Sequence, residues 1–124
     1  MSNKNKFNKV EYLLSEEIKN IYRDRLEHQL DNISYKLFDR TLIVILEGAI
    51  TPPEKLLKNN DRLHLAQQVR RVIDEAINPQ IKNIIEEVMN VEVTDFLSDT
   101  TIENNISGAI AILEFKSNKD SKNS

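Results

Sequence analysis

The stretch TLIVILEG, residues 41–48, restricts the fold of this chain more than any other. Successive side chains of an extended strand alternate between its faces, so Leu42, Val44 and Leu46 point one way and Ile43 and Ile45 the other. A strand that is apolar on both faces has to be covered twice. In a chain of 124 residues the helices supply one cover, and the other falls to the first helix or to another subunit. This strand therefore predicts a homo-oligomer, a dimer or a higher assembly.

The flanking sequence supplies the remaining elements. Val10, Leu13, Leu14, Ile18, Ile21, Tyr22 and Leu26 recur at three and four residues, the spacing of an amphipathic helix over roughly residues 9–28. The period then drops to two in ISYKLF, where Ile33, Tyr35 and Leu37 alternate with Ser34 and Lys36, and a tight turn at Phe38–Thr41 leads into the doubly apolar strand. Gly48 and the pair Pro52–Pro53 stop that strand, since proline offers no amide to a ladder. Thr51 is placed to cap a short helix opened by Pro52, Pro53 and Glu54.

After a break at NND, residues 59–61, with Asp61 as a candidate cap, apolar residues from Leu65 to Val88 keep helical phase past Pro79. That pattern fits one long helix kinked at Pro79, or two helices with Asn78 as the second cap. Asn90 is suited to end it in a left-handed conformation. VEVTDFL and GAIAILEF then form a second hairpin around the polar segment SDTTIENNIS. The fold class is α+β: an N-terminal helix followed by ββ-α-α-ββ, with a four-stranded antiparallel sheet and helices packed on one face.

The domain is expected to occupy residues 10–115, between a basic flexible tail at 1–9 and a flexible C-terminal tail at 116–124. The tails carry a net charge of +5, which leaves −8 on the domain out of −3 for the chain. A surface that acidic repels phosphate backbones, so no nucleic-acid partner is expected. No apolar run approaches the roughly 20 residues that span a bilayer, so direct membrane insertion is not expected either. The absence of cysteine excludes disulfides and thiolate chemistry and suits a reducing compartment, which makes the cytoplasm the expected location.

Catalytic patterns are missing. Two glycines, Gly48 and Gly108, cannot build a phosphate-cradling loop, and two histidines, His28 and His64, lie too far apart for a histidine-based zinc site. The acidic pairs Glu16–Glu17, Asp74–Glu75 and Glu86–Glu87 read as solvated helix faces. Neither an enzyme nor a cofactor is expected. Two polar clusters remain, Thr51 with Glu54 and Lys55, and Asp95 with Ser98 and Asp99; Arg70 and Arg71 could pair with them or hold an anion.

The strings LFDRTLIVILEGAITPPEKLL, LAQQVRRVIDEAINPQIKNIIEEVMNVEV and DFLSDTTIENNISGAIAILEF together resemble the MpsC-like family. This is a group of small bacterial domains named after the third component of a sodium-translocating, membrane-potential-generating system. The resemblance covers about residues 10–115. Its most specific pieces are TPPE after Gly48, Arg70, Pro79, and LSD ahead of the last strand. The segment Glu27–Asp31 looks most like cyanobacterial versions, where a common family pattern is rich in glycine. Asn90 stands where the family usually has glycine, and Asn104–Asn105 where a Thr-Gly turn is common.

The resemblance implies a soluble domain with membrane partners concerned with sodium or bicarbonate, and no assigned reaction. On it, the candidate ligand-binding residues are Thr51, Glu54, Arg70, Ser98 and Asp99. The leading expectation is a non-catalytic accessory or regulatory domain that acts through self-association and protein partners at a membrane ion or bicarbonate transport complex. The alternative is a small-molecule protein of tunnelling-fold-like topology, binding a purine-like or pterin-like ring or an anion at a subunit interface. In that alternative Glu54 would be the carboxylate anchor and Arg70 the anion holder.

Overall fold

The computed structural model describes residues 2–116, with side chains from Phe7 onward. Its elements follow the expected order: α1 (Ser2–Leu26), β1 (Asn32–Phe38), β2 (Thr41–Glu47), α2 (Pro52–Asn59), α3 (Leu63–Met89), β3 (Val91–Thr101) and β4 (Ile106–Phe115). α1 begins before the expected start at residue 9, and Phe7 and Val10 extend its apolar stripe into the core. Of the expected C-terminal tail, everything past Lys116 lies outside the described residues.

The four strands form one antiparallel sheet in the order β1-β2-β4-β3. Each hairpin pairs within itself, and β2 joins β4 at the centre, with Val44 opposite Ala109 and Ile45 opposite Gly108. One face carries Leu42, Val44, Leu46, Val91, Val93, Ala111 and Leu113, all buried, and these form a single core with Leu14, Ile18 and Tyr22 of α1 and Ile77, Ile81 and Ile85 of α3. Each such Leu or Ile withdraws apolar surface worth about 1.5–3 kcal/mol from water. The helices thus share one face of the sheet.

α3 is continuous through Pro79, which decides between the two expected forms. The proline removes one helical hydrogen bond, and its exposed position leaves the freed carbonyl side open to water. The cap before α3 is Arg62 and not Asp61, which instead takes a left-handed φ of 59° in the α2–α3 turn. β3 and β4 are both longer than the apolar runs suggested, so that SDTT lies in strand β3 and the turn contracts to residues 102–105.

A bulge between Val93 and Asp95 changes the phase of β3. Plain alternation would send Val93, Asp95 and Leu97 to the same side. With Thr94 as the extra residue, Val93 and Phe96 both face the core, whereas Asp95 and Leu97 turn to the opposite face. Glu27 (φ 49°), Asn90 (φ 55°) and Asn105 (φ 57°) leave the ordinary backbone regions at corners of the fold. All three are left-handed, the conformation that glycine adopts most easily and that asparagine tolerates better than most. Asn90 and Asn105 are therefore suited to the backbone conformations they adopt.

Gly48 (φ 78°) is the remaining positive-φ position that argues for its residue type. A Cβ there would collide with the side chain of Asp31. Gly48→Ala is expected to lose about 1–2 kcal/mol from the backbone conformation alone, plus whatever the displacement of Asp31 costs. A urea denaturation curve for the variant that superimposes on the wild type would contradict this account.

Candidate functional site

The loop that follows β2 is fastened from three directions. The ring nitrogen Nε2 of His28, at the α1–β1 corner, lies 2.6 Å from the carbonyl oxygen of Gly48. The amide of Gly48 donates to the carbonyl of Asn105 (3.1 Å), and the amide of Ile50 donates to the Asn105 side-chain oxygen (2.8 Å). The loop delivers Thr51 to the start of α2, where its backbone is extended and its amide (3.0 Å) and hydroxyl (2.8 Å) both donate to Glu54 Oε1. Glu54 thereby returns to the helix start, as carboxylates three residues beyond an N-cap do.

Arg70 completes this network from α3. Its Nε donates to Glu54 Oε2 (2.8 Å), and its Nη2 donates both to Glu54 Oε1 (2.7 Å) and to the carbonyl of Ala49 (2.7 Å). Arg70 is 4% exposed and Glu54 0%. Burial alone would lower the Arg70 pKa, but the Glu54 carboxylate against it reverses the direction and raises it. The Tyr22 hydroxyl beside them is raised, burial outweighing the pull of the Arg70 charge. The expected residues Thr51, Glu54 and Arg70 thus form one closed, buried unit that ties α2, α3 and the β2–α2 loop together. Glu54, the ring anchor of the tunnelling-fold alternative, has both oxygens engaged within the chain.

Ser98 and Asp99 lie apart from that unit, on the edge strand β3. Asn78 Nδ2 of α3 donates to Ser98 Oγ (2.7 Å). Between α3 and β3 opens a polar cleft of about 590 Å³ lined by Gln67, Arg71, Asp74, Glu75, Ser98 and Asp99 among others, and Arg70 reaches it through Nη1, 3.3 Å from Asp74 Oδ1. Arg70, Asp74 and Asn78 recur every four residues on one line of α3, so this spacing was a signal in the sequence for the cleft wall. Asp74 itself reads from sequence as part of a charged helix face; its half-buried place beside Arg70 is a matter of packing. Burial raises its pKa, against a lowering by Arg70.

The other face of the sheet has a different character. Ile43, Ile45, Ile110 and Leu97 belong to neither core cluster, Leu97 being 64% and Ile110 40% exposed. They surround a shallow depression of about 340 Å³ with Gly108 at its floor, and Asp99 stands where this face meets the polar cleft. Among the described residues no element covers it. Of the two covers expected for β2, then, the helices supply one, and α1 lies with them on that same side.

A four-stranded antiparallel sheet with α1 and α3 on one face, α2 packed against α3, a buried arginine–carboxylate pair and an open apolar face define a small α+β domain. The family model described as Na+-translocating membrane potential-generating system (MpsC) matches residues 7–115, and the chain belongs to that family. Neither the curated proteins nor the solved structures gave a significant match. Among the described residues no helix is long and apolar enough to cross a membrane.

Two outcomes test this description. Glu54→Leu and Arg70→Met each strand a buried charge, and each is expected to cost about 3–5 kcal/mol in urea unfolding, with the double variant losing far less than the sum; additive losses would refute the coupling. For Asp74, the native protein keeps a proton that the unfolded chain releases between the ordinary value of 3.8 and the raised folded value, so stability falls as pH rises through that window. Asp74→Asn should therefore gain on the wild type between pH 4 and pH 7. A gap that closes over that range contradicts the raised value.

Proposed function

We propose that this chain is a non-catalytic accessory domain of a sodium-translocating, membrane-potential-generating system, acting in the cytoplasm through self-association and through protein partners at the membrane. The observation that supports it best is the open apolar sheet face, centred on Ile43, Ile45, Leu97 and Ile110. Monomeric soluble domains rarely expose a contiguous patch of this kind unless something docks on it. Family membership supplies the system. The absence of a helix that could cross the bilayer, among the described residues, fits a component that reaches the membrane by way of other proteins.

In this reading Thr51, Glu54 and Arg70 are scaffold. They fix the loop after β2 and keep α2 and α3 in place behind the sheet, so the sheet presents a rigid surface. Ion or bicarbonate homeostasis would then be served by assembly, not by chemistry on this chain.

The test is a deletion in the cell that makes the protein, with Na+-dependent membrane potential read by a voltage-sensitive dye. Deletion is expected to lower the potential, the wild-type chain to restore it, and Leu97→Asp to restore it poorly. An unchanged potential after deletion would end the proposal.

A further inference from the structure

The uncovered sheet face is apolar in the middle and acidic around it. The pairing registers set Ile43 and Ile45 of β2 beside Ile110 and Gly108 of β4, with Ile112 next along β4 and Leu97 carrying the apolar row onto β3. The same registers bring five carboxylates to this face: Asp95 and Asp99 either side of Leu97, Glu92 and Glu114 opposite one another at one end, and Glu47 at the other. One lysine, Lys36 on β1, stands against those five carboxylates, so the strands carry a net charge of −4 on this side. All six side chains are exposed, and among the described residues none of them is in an ion pair. Like charges directly opposite on neighbouring strands destabilise a sheet, as Glu92 and Glu114 are placed to do. A cation from outside the chain would relieve them.

We propose that the occupant is a basic amphipathic helix of a partner protein, laid along β2 and β4. This rests on the reading of the sheet face as an association surface, and it names the chemistry of the partner. The helix sets an apolar stripe on the isoleucines and holds lysines or arginines over β3 and the Glu92–Glu114 pair. Strands of seven residues such as β2 run about 23 Å, the length of about 15 helical residues. Asp95 and Asp99, four strand residues apart, are separated by about 13 Å, close to the roughly 12 Å between helix positions eight apart. Two copies of this face would bring two net-acidic surfaces together, and an anionic membrane or a nucleic acid meets the same repulsion. Of the occupants that the proposed function admits, the charge therefore selects a cationic partner protein.

The strength follows from the contact area. A single helix on a sheet hides less than the roughly 800 Å² per partner of standard stable interfaces, so the complex is transient. Its dissociation constant is expected in the micromolar range, rising with added salt as the charge pairs are screened.

The probe is a fluorescein-labelled helical peptide of about 18 residues, with leucines at three- and four-residue spacing and lysines along one flank; its counterpart carries glutamate in place of each lysine. Fluorescence anisotropy reads binding to the full chain up to 200 μM, and far-UV circular dichroism confirms that each variant folds. The lysine peptide should bind and the glutamate peptide should not. Ile110→Lys should weaken the lysine peptide at least tenfold, and Asp95→Lys/Asp99→Lys should lose it and take the glutamate peptide instead. Glu16→Lys/Glu17→Lys, an equal change of charge on the exposed side of α1, should leave the affinity within twofold. Glu114→Gln should unfold at higher urea than the wild type yet bind the lysine peptide less tightly, opposite signs that a purely structural glutamate does not give. A lysine peptide that fails to bind at 200 μM, or that the α1 variant weakens as much as the β3 variant does, would overturn the basic partner, while the accessory role would still be decided by the potential measurement. Sedimentation velocity at the same concentrations adds one more outcome: a dimer that Ile110→Lys dissolves would give the face to a second copy and overturn the proposal as well.

Discussion

The contact on which the rest of this structure depends is the buried pairing of Arg70 with Glu54. Removing two charges from water is costly, and the attraction between them repays that cost only when the geometry is good and every remaining donor and acceptor is met. Both conditions hold here: Arg70 binds both oxygens of Glu54 and the carbonyl of Ala49, and Thr51 donates twice to the same carboxylate. The result joins one continuous stretch, the loop after β2 with the start of α2, to the first half of α3. Because α3 carries Ile77, Ile81 and Ile85 into the core, holding its upper half at Arg70 also sets where those side chains meet the sheet.

This arrangement explains why the polar signal in TPPE belongs to architecture first. Threonine, proline and glutamate in that order open a helix, and the glutamate then has a partner on the next helix. The loop before it is secured by His28 and Asn105, so the corner between α1 and β1, the loop after β2 and the turn between β3 and β4 meet at one end of the sheet. The helices share one face of the sheet, and among the described residues no element covers the other.

Much of this was legible along the chain. The change from a period of three and four to a period of two marked α1, β1, α3 and the hairpins, and Asn90 signalled the left-handed end of α3. Other features were not. A bulge at Thr94 has no mark in a run such as VEVTDF, because it arises from how β3 fits against β4 while Val93 and Phe96 both seek the core. Strand order likewise needs the packing of both hairpins on the same helices. The burial of Arg70 and Asp74 was hidden for a similar reason: on a helix that alternates charged and apolar residues, only the neighbouring α2 and β3 determine which charges lose contact with water.

By itself the sequence determined that one strand, Leu42–Leu46, is apolar on both faces and that this fold class would be built around it, since side-chain alternation and helical periodicity are local properties of the chain. Only the tertiary structure decided which face the helices would take and what the other face would display. That choice followed from bringing β4 beside β2 and from the phase shift in β3, two long-range events that no local pattern encodes.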